Sequence, residues 1–94
     1  YVLSGGEQPA AELWCPATGI GLAMTTSMEG MQLYTAGWLT ERAGKDGAVY
    51  GPAQGVCLET QHFPNAVNCP AFPSPILREG ETLRQWTAFR FFAR

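Results

Sequence analysis

Only one histidine, His62, and one lysine, Lys45, occur in these 94 residues, and no basic run appears anywhere. Six cationic side chains against eight acidic ones leave a formal net charge of -2. That balance offers no electrostatic footprint for nucleic acid or for an anionic membrane surface. A single imidazole leaves no second one nearby for a metal cluster or a Cys-His nucleophile pair. The three cysteines, Cys15, Cys57 and Cys69, are odd in number and none is spaced Cys-x-x-Cys. Neither a closed disulfide framework nor a thiolate metal site is indicated, so free, mostly buried thiols and a reducing, cytoplasmic setting are expected. No apolar stretch approaches the length of a membrane-spanning helix, and the first residues lack the basic and apolar regions of a signal peptide. No cofactor is expected either.

What is present is a chain of 46% apolar and 12% aromatic residues with only 15% charged ones. This is too apolar for disorder and fits one small globular unit. Glycine and proline are spread throughout, and the apolar runs between them are short and rich in β-formers, which predicts an all-β segment. Strands are expected at residues 11–15, 22–26, 31–35, 55–60 and 83–93, with residues 1–3 as an edge. Pro16-Ala-Thr-Gly19 reads as a tight turn, because proline presets the first φ and glycine accepts a later positive one. Residues 41–50, with Gly44 and Gly47, read as a longer flexible connection. The proline-rich stretch 64–75 cannot be a central strand and reads as a stiff ordered loop.

Two strands carry polar pairs on one face. In the strand ending at Pro64, alternation puts Val56, Leu58 and Thr60 on one side and Cys57, Glu59 and Gln61 on the other. In the strand after Gly30, Met31, Leu33 and Thr35 oppose Gln32 and Tyr34. Together the two polar faces suit the floor of a concave pocket, but alternation alone favours a solvated outer surface. Glu59 is either a solvated strand residue or a general base held at a strand end, and period two does not decide between them. The last strand has aromatics on both faces, which implies neighbouring sheet layers, and Trp14 and Trp38 are expected in a core.

The segments Leu58-Glu-Thr-Gln-His-Phe-Pro64, Asn65-Ala-Val-Asn68, Phe72-Pro73-Ser74 and Leu77-Arg-Glu-Gly-Glu-Thr82 resemble the C-terminal signature of the aldose 1-epimerases, or galactose mutarotases. Upstream, Gly30-Met-Gln-Leu-Tyr-Thr35 resembles the family's Gly-x-Gln-x-Tyr strand, Gly44-Lys-Asp-Gly-Ala-Val-Tyr50 its Gly-rich loop and Trp86-Thr-Ala-Phe-Arg-Phe91 its closing strand. The motifs keep the family's order across nearly the whole chain.

The resemblance implies an antiparallel β-sandwich of the mutarotase supersandwich type, of which residues 1–94 form the C-terminal part, with an N-terminal remainder as physical partner. It implies an isomerase interconverting the anomers of an aldohexose such as glucose or galactose. Glu59 matches the general base and Gln32 the sugar-binding glutamine; Tyr34, on the same face as Gln32, is expected as a wall of the pocket. His62 is expected to point away from the face of Glu59 and to be structural. The family's acid, further sugar-binding residues and a substrate-binding aspartate fall outside these residues, so the fragment alone is expected to be inactive. Two departures, Ala36-Gly-Trp38 where Gly-Asn-Phe is typical and Glu29 where proline is common, bear on substrate preference. The alternatives are a non-catalytic carbohydrate-binding module on the same fold and a relative acting on hexose phosphates. The latter needs clustered arginines, which are scattered here.

Overall fold

Short β-rich runs separated by turns pair with one another wherever backbone partners exist, and the computed structural model, which describes residues 1–94, is built almost wholly from such pairs. Seven strands form: β1 (Ala11–Trp14), β2 (Ile20–Thr26), β3 (Gly30–Tyr34), β4 (Arg42–Ala43), β5 (Val49–Tyr50), β6 (Cys57–Gln61) and β7 (Thr87–Ala93). The only helical turns are two three-residue 3-10 segments, Lys45–Gly47 and Ala66–Asn68. All pairings are antiparallel, in sheets ordered β1-β2-β7, β3-β6 and β4-β5. The chain is all-β, as its composition and turn spacing predict.

In the three-stranded sheet, Leu13, Leu22 and Phe91 line up across one face, as do Ala11, Met24 and Phe89. The other face carries Glu12, Ala23 and Arg90 in one row and Trp14, Gly21 and Phe92 in the next. The Phe92 ring lies over Gly21, where a side chain would collide with it, and the guanidinium groups of Arg90 and Arg94 stack on that ring at 5.3 and 4.7 Å. A bare backbone here gives the aromatic its seat.

Threonines join the two larger sheets. Thr87 Oγ1 lies 3.0 Å from Thr26 Oγ1 and 2.9 Å from Thr60 Oγ1, linking β7 to both β2 and β6. Thr26 is buried, and its hydroxyl also lies 3.0 Å from the Trp86 carbonyl and accepts from the Met28 amide at 3.1 Å. A buried hydroxyl must be satisfied, and this one is. The buried apolar side chains are few, namely Ala23, Met24, Met28, Met31, Ala36 and Ala66, and Met24 shares the face of Thr26.

Several expectations are corrected. Residues 83–86 are not strand: only the Trp86 backbone finds partners, on Thr26 and Ser27, because β2 ends at Thr26 and leaves nothing further to pair with. Residues 1–3 form an isolated bridge, Val2 with Gly30, rather than an edge strand. The connection 41–50 carries a small hairpin, β4-β5, closed by Tyr50, whose hydroxyl accepts from the Lys45 amide at 3.2 Å. Cys15 and Cys57 are exposed and Cys69 half-buried, so the thiols are not core residues. Trp14 is half-exposed and Trp38 is 94% exposed, so neither supplies a core.

These departures share a cause. Only 10 of 94 residues are buried. The radius of gyration is 16.7 Å, against roughly 12 Å for a compact domain of this length. The apolar faces exist, but within these residues most have nothing to pack on.

Candidate functional site

The β3-β6 ladder supplies the site. Its register sets Gln32 opposite Glu59, Tyr34 opposite Cys57 and Gly30 opposite Gln61. Directly opposed residues project to the same side, so Gln32, Tyr34, Cys57, Glu59 and Gln61 share one face. The reverse face carries Met31 against Thr60 and Leu33 against Leu58, and it turns toward the threonine junction and the buried methionines. Sequence alternation predicted each polar pair; the structure brings the two pairs side by side.

Gln32 and Glu59 are exposed and Tyr34 is 39% exposed. Neither the Glu59 carboxylate nor the Gln32 amide has a hydrogen-bond or ion-pair partner in the chain; the two ion pairs present are His62–Glu29 and Arg94–Glu12. Both groups are therefore open to an incoming ligand. A carboxylate accepts, and a primary amide both donates and accepts, so the pair can bind adjacent hydroxyls while one of them loses its proton.

Beside them a depression of about 180 Å³ is lined by Gln32, Gln61, Tyr1, Val2, Phe63 and Pro64, among others. Gln61 was not among the candidates drawn from the sequence, although its two-residue spacing from Glu59 carries the signal. Gly30 keeps this end of the ladder closed: a Cβ on it would lie 3.0 Å from the Gln61 carbonyl oxygen and 3.2 Å from the Phe63 ring. A Cβ here would press on both neighbours, so glycine suits this close approach of strand and aromatic.

The loop after β6 is ordered by its own contacts. Phe63 and Phe72 pack with ring centroids 5.0 Å apart, and the Asn68 amide donates to the Asn65 Oδ1 at 2.6 Å. Asn65 takes the left-handed conformation (φ 59°) that asparagine tolerates best among residues with side chains.

His62 does not join the face of Glu59. Its Nδ1 donates to Glu29 Oε1 at 2.6 Å, and its Nε2 lies 3.3 Å from the Gln85 amide nitrogen. Burial pushes the Glu29 carboxyl up, but the His62 hydrogen bond, the residue's own backbone and the His62 charge when the ring is protonated together hold it below its ordinary value of 4.5. No group of three or more His, Cys, Asp or Glu side chains is placed to hold a metal ion.

With this geometry in view, likeness to known proteins is informative. The family model described as Aldose 1-epimerase matches residues 1–90. Human galactose mutarotase is 46% identical over 94 residues, covering 97% of this chain and 28% of its own length. The mouse galactose mutarotase is 45% identical over 76 residues, covering 80% of this chain and 22% of its own. The aldose 1-epimerase of Haemophilus influenzae is 31% identical over 87 residues, covering 90% of this chain and 26% of its own. The chain thus spans about a quarter of the length of the curated relatives it matches. Because one family model accounts for nearly every residue and the relatives align across most of the chain, the chain belongs to the aldose 1-epimerase family.

Proposed function

We propose that residues 1–94 form the C-terminal part of an aldose 1-epimerase that interconverts the α and β anomers of a hexose such as glucose or galactose. Opening the ring requires loss of the proton on the anomeric hydroxyl and gain of one by the ring oxygen. Glu59 takes the first proton, the C1–O5 bond breaks, rotation about C1–C2 presents the other carbonyl face, and reclosure returns both protons. Gln32 holds neighbouring hydroxyls and Tyr34 walls the pocket. The observation that carries this reading is the direct opposition of an unpartnered Glu59 and an unpartnered Gln32 on one exposed face.

The acid comes from chain beyond these residues. The one histidine is committed at both ring nitrogens, to Glu29 and Gln85. The same remainder covers the apolar groove of about 380 Å³ lined by Leu13, Trp14, Ile20, Leu22, Val56 and Phe91, and so completes a β-sandwich. A neutral sugar is favoured over a hexose phosphate, because no arginine lines the depression beside Gln32 and Arg90 and Arg94 are engaged with Phe92 and Glu12 in the other sheet.

Polarimetry of freshly dissolved α-D-glucose and α-D-galactose tests the reading, using the full natural protein and its Glu59→Gln variant. The expected result is accelerated decay of rotation by the wild type, lost in the variant, with sugar binding retained by both. Sugar binding without acceleration by the wild type overturns the enzyme in favour of a carbohydrate-binding module.

A further inference from the structure

Glu29 and His62 occupy the position one step beyond the last pair of the β3-β6 ladder, where Gly30 faces Gln61. Counted outward from Gln32 and Glu59, parity groups Glu29 with Met31 and Leu33, and His62 with Leu58 and Thr60. The pair therefore belongs to the face opposite the candidate base. Both side chains are about three-quarters buried, with 25% and 26% of their surface exposed. A carboxylate can only accept, so the 2.6 Å contact places the proton on His62 Nδ1; the Gln85 amide nitrogen can only donate, so Nε2 accepts at 3.3 Å. One imidazole of fixed tautomer thus ties together the turn before β3, the end of β6 and the segment leading into β7.

This cluster constrains register. β3 and β6 are five residues each and form a two-stranded ladder; residues 1–3 bridge only to the Glu29–Met31 end of β3, and a ladder of two short strands is marginal by itself. No tight turn joins them to set the alignment, since residues 35–56 intervene. A slip of one residue would replace Gln32 by Met31 or Leu33 opposite Glu59 and separate the two groups that the sugar must bridge. Gly30 lets the strands close at this end but gives the pairing no direction, and the Glu29–His62 bond is the one directional cross-strand side-chain link there.

We propose that Glu29 and His62 are positioning residues that pin the β3-β6 register, and through it the alignment of Gln32 with Glu59. Its catalytic consequence rests on the mutarotase reading given above.

The test uses the full natural protein with Glu29→Gln, Glu29→Ala, His62→Ala and the Glu29→Ala/His62→Ala double variant. Saturation polarimetry is expected to show kcat lowered roughly tenfold in each alanine variant with KM little changed, because the reacting groups are misaligned rather than removed. The double variant is expected to lose no more than either single one, as members of one link do. Glu29→Gln, whose amide oxygen still accepts from Nδ1, is expected to recover most of the loss. Amide hydrogen exchange gives a readout independent of turnover: exchange in Gly30–Tyr34 and Cys57–Gln61 is expected to quicken roughly tenfold while Ile20–Thr26 is unchanged. A kcat within twofold of wild type, single losses that multiply in the double variant, or equal loosening of both sheets overturns the proposal. If the wild type is no faster than Glu59→Gln, the catalytic reading falls separately. Exchange then decides the pin: selective loosening of β3 and β6 upholds it, and unchanged exchange overturns it.

Discussion

Gln32 and Glu59 face one another across the β3-β6 ladder, an amide and a carboxylate from strands separated by more than twenty residues of intervening chain. On the proposed mutarotase reading their roles differ, and so should the effects of changing them. Glu59→Gln keeps shape and hydrogen bonding but removes the base, so kcat for anomer exchange is expected to fall by roughly a hundredfold or more. Gln32→Ala removes a binding group, so KM is expected to rise by roughly tenfold with a smaller change in kcat. Initial rates over a range of sugar concentrations separate the two. Equal loss of kcat in both variants would contradict this division of labour.

Glu29 makes stability depend on pH. Its carboxyl is held below the ordinary 4.5 in the folded protein, so the unfolded state binds the proton more readily. The stabilisation is therefore fully present above the ordinary value and is lost as pH falls through the lowered one. Urea midpoints of wild type and Glu29→Gln, followed from about pH 7 to about pH 3, are expected to differ at the upper end and converge at the lower. A gap that does not change with pH would show that the carboxylate carries no such linkage.

Backbone conformation predicts two substitutions of opposite sign. Gly19 has φ +72°, and a Cβ there would lie 2.6 Å from the Arg94 carbonyl oxygen. Gly19→Ala is expected to destabilise by about 1–2 kcal/mol from the left-handed conformation alone, with displacement of the Arg94 carbonyl in addition. Ala36 also has positive φ, at 58°, and its carbonyl accepts from both Leu39 and Ala53. Ala36→Gly is expected to stabilise by about 0.5–1 kcal/mol net. Denaturant midpoints at constant slope check both, and a destabilised Ala36→Gly would refute the strain argument.

Cys15 can report whether the apolar groove is covered in the full natural protein. Its thiol is pulled below the ordinary 9.0 mainly by the Thr18 side chain, helped by the Thr18 and Ala17 backbone, and it is exposed at the rim of the groove. In the isolated 94-residue chain it is expected to be alkylated readily, since the thiolate is the reactive form. In the full natural protein the rate is expected to drop at least roughly tenfold as the groove is covered. Iodoacetamide labelling followed by mass spectrometry measures both rates, and equal rates would mean that nothing shields this face.

Local chemistry settled much of this protein. Short β-rich runs between glycines and prolines located five strands to within a few residues, Pro16 and Gly19 marked the turn between β1 and β2, and period two assigned Gln32 with Tyr34 and Glu59 with Gln61 to common faces. These follow from steric preferences and alternation that each residue carries with it. Pairing does not travel that way. Residues 83–85 have the composition of a strand yet find no backbone partner because β2 has already ended. Trp14 and Trp38 have the hydrophobicity of core residues yet stand exposed, since burial needs a second surface and these residues supply few. The meeting of Gln32 with Glu59, the threonine link between the sheets and the Glu29–His62 bond were likewise decided only by tertiary structure. Each joins distant segments, and a backbone hydrogen bond or side-chain contact exists only where its partner has been brought to it.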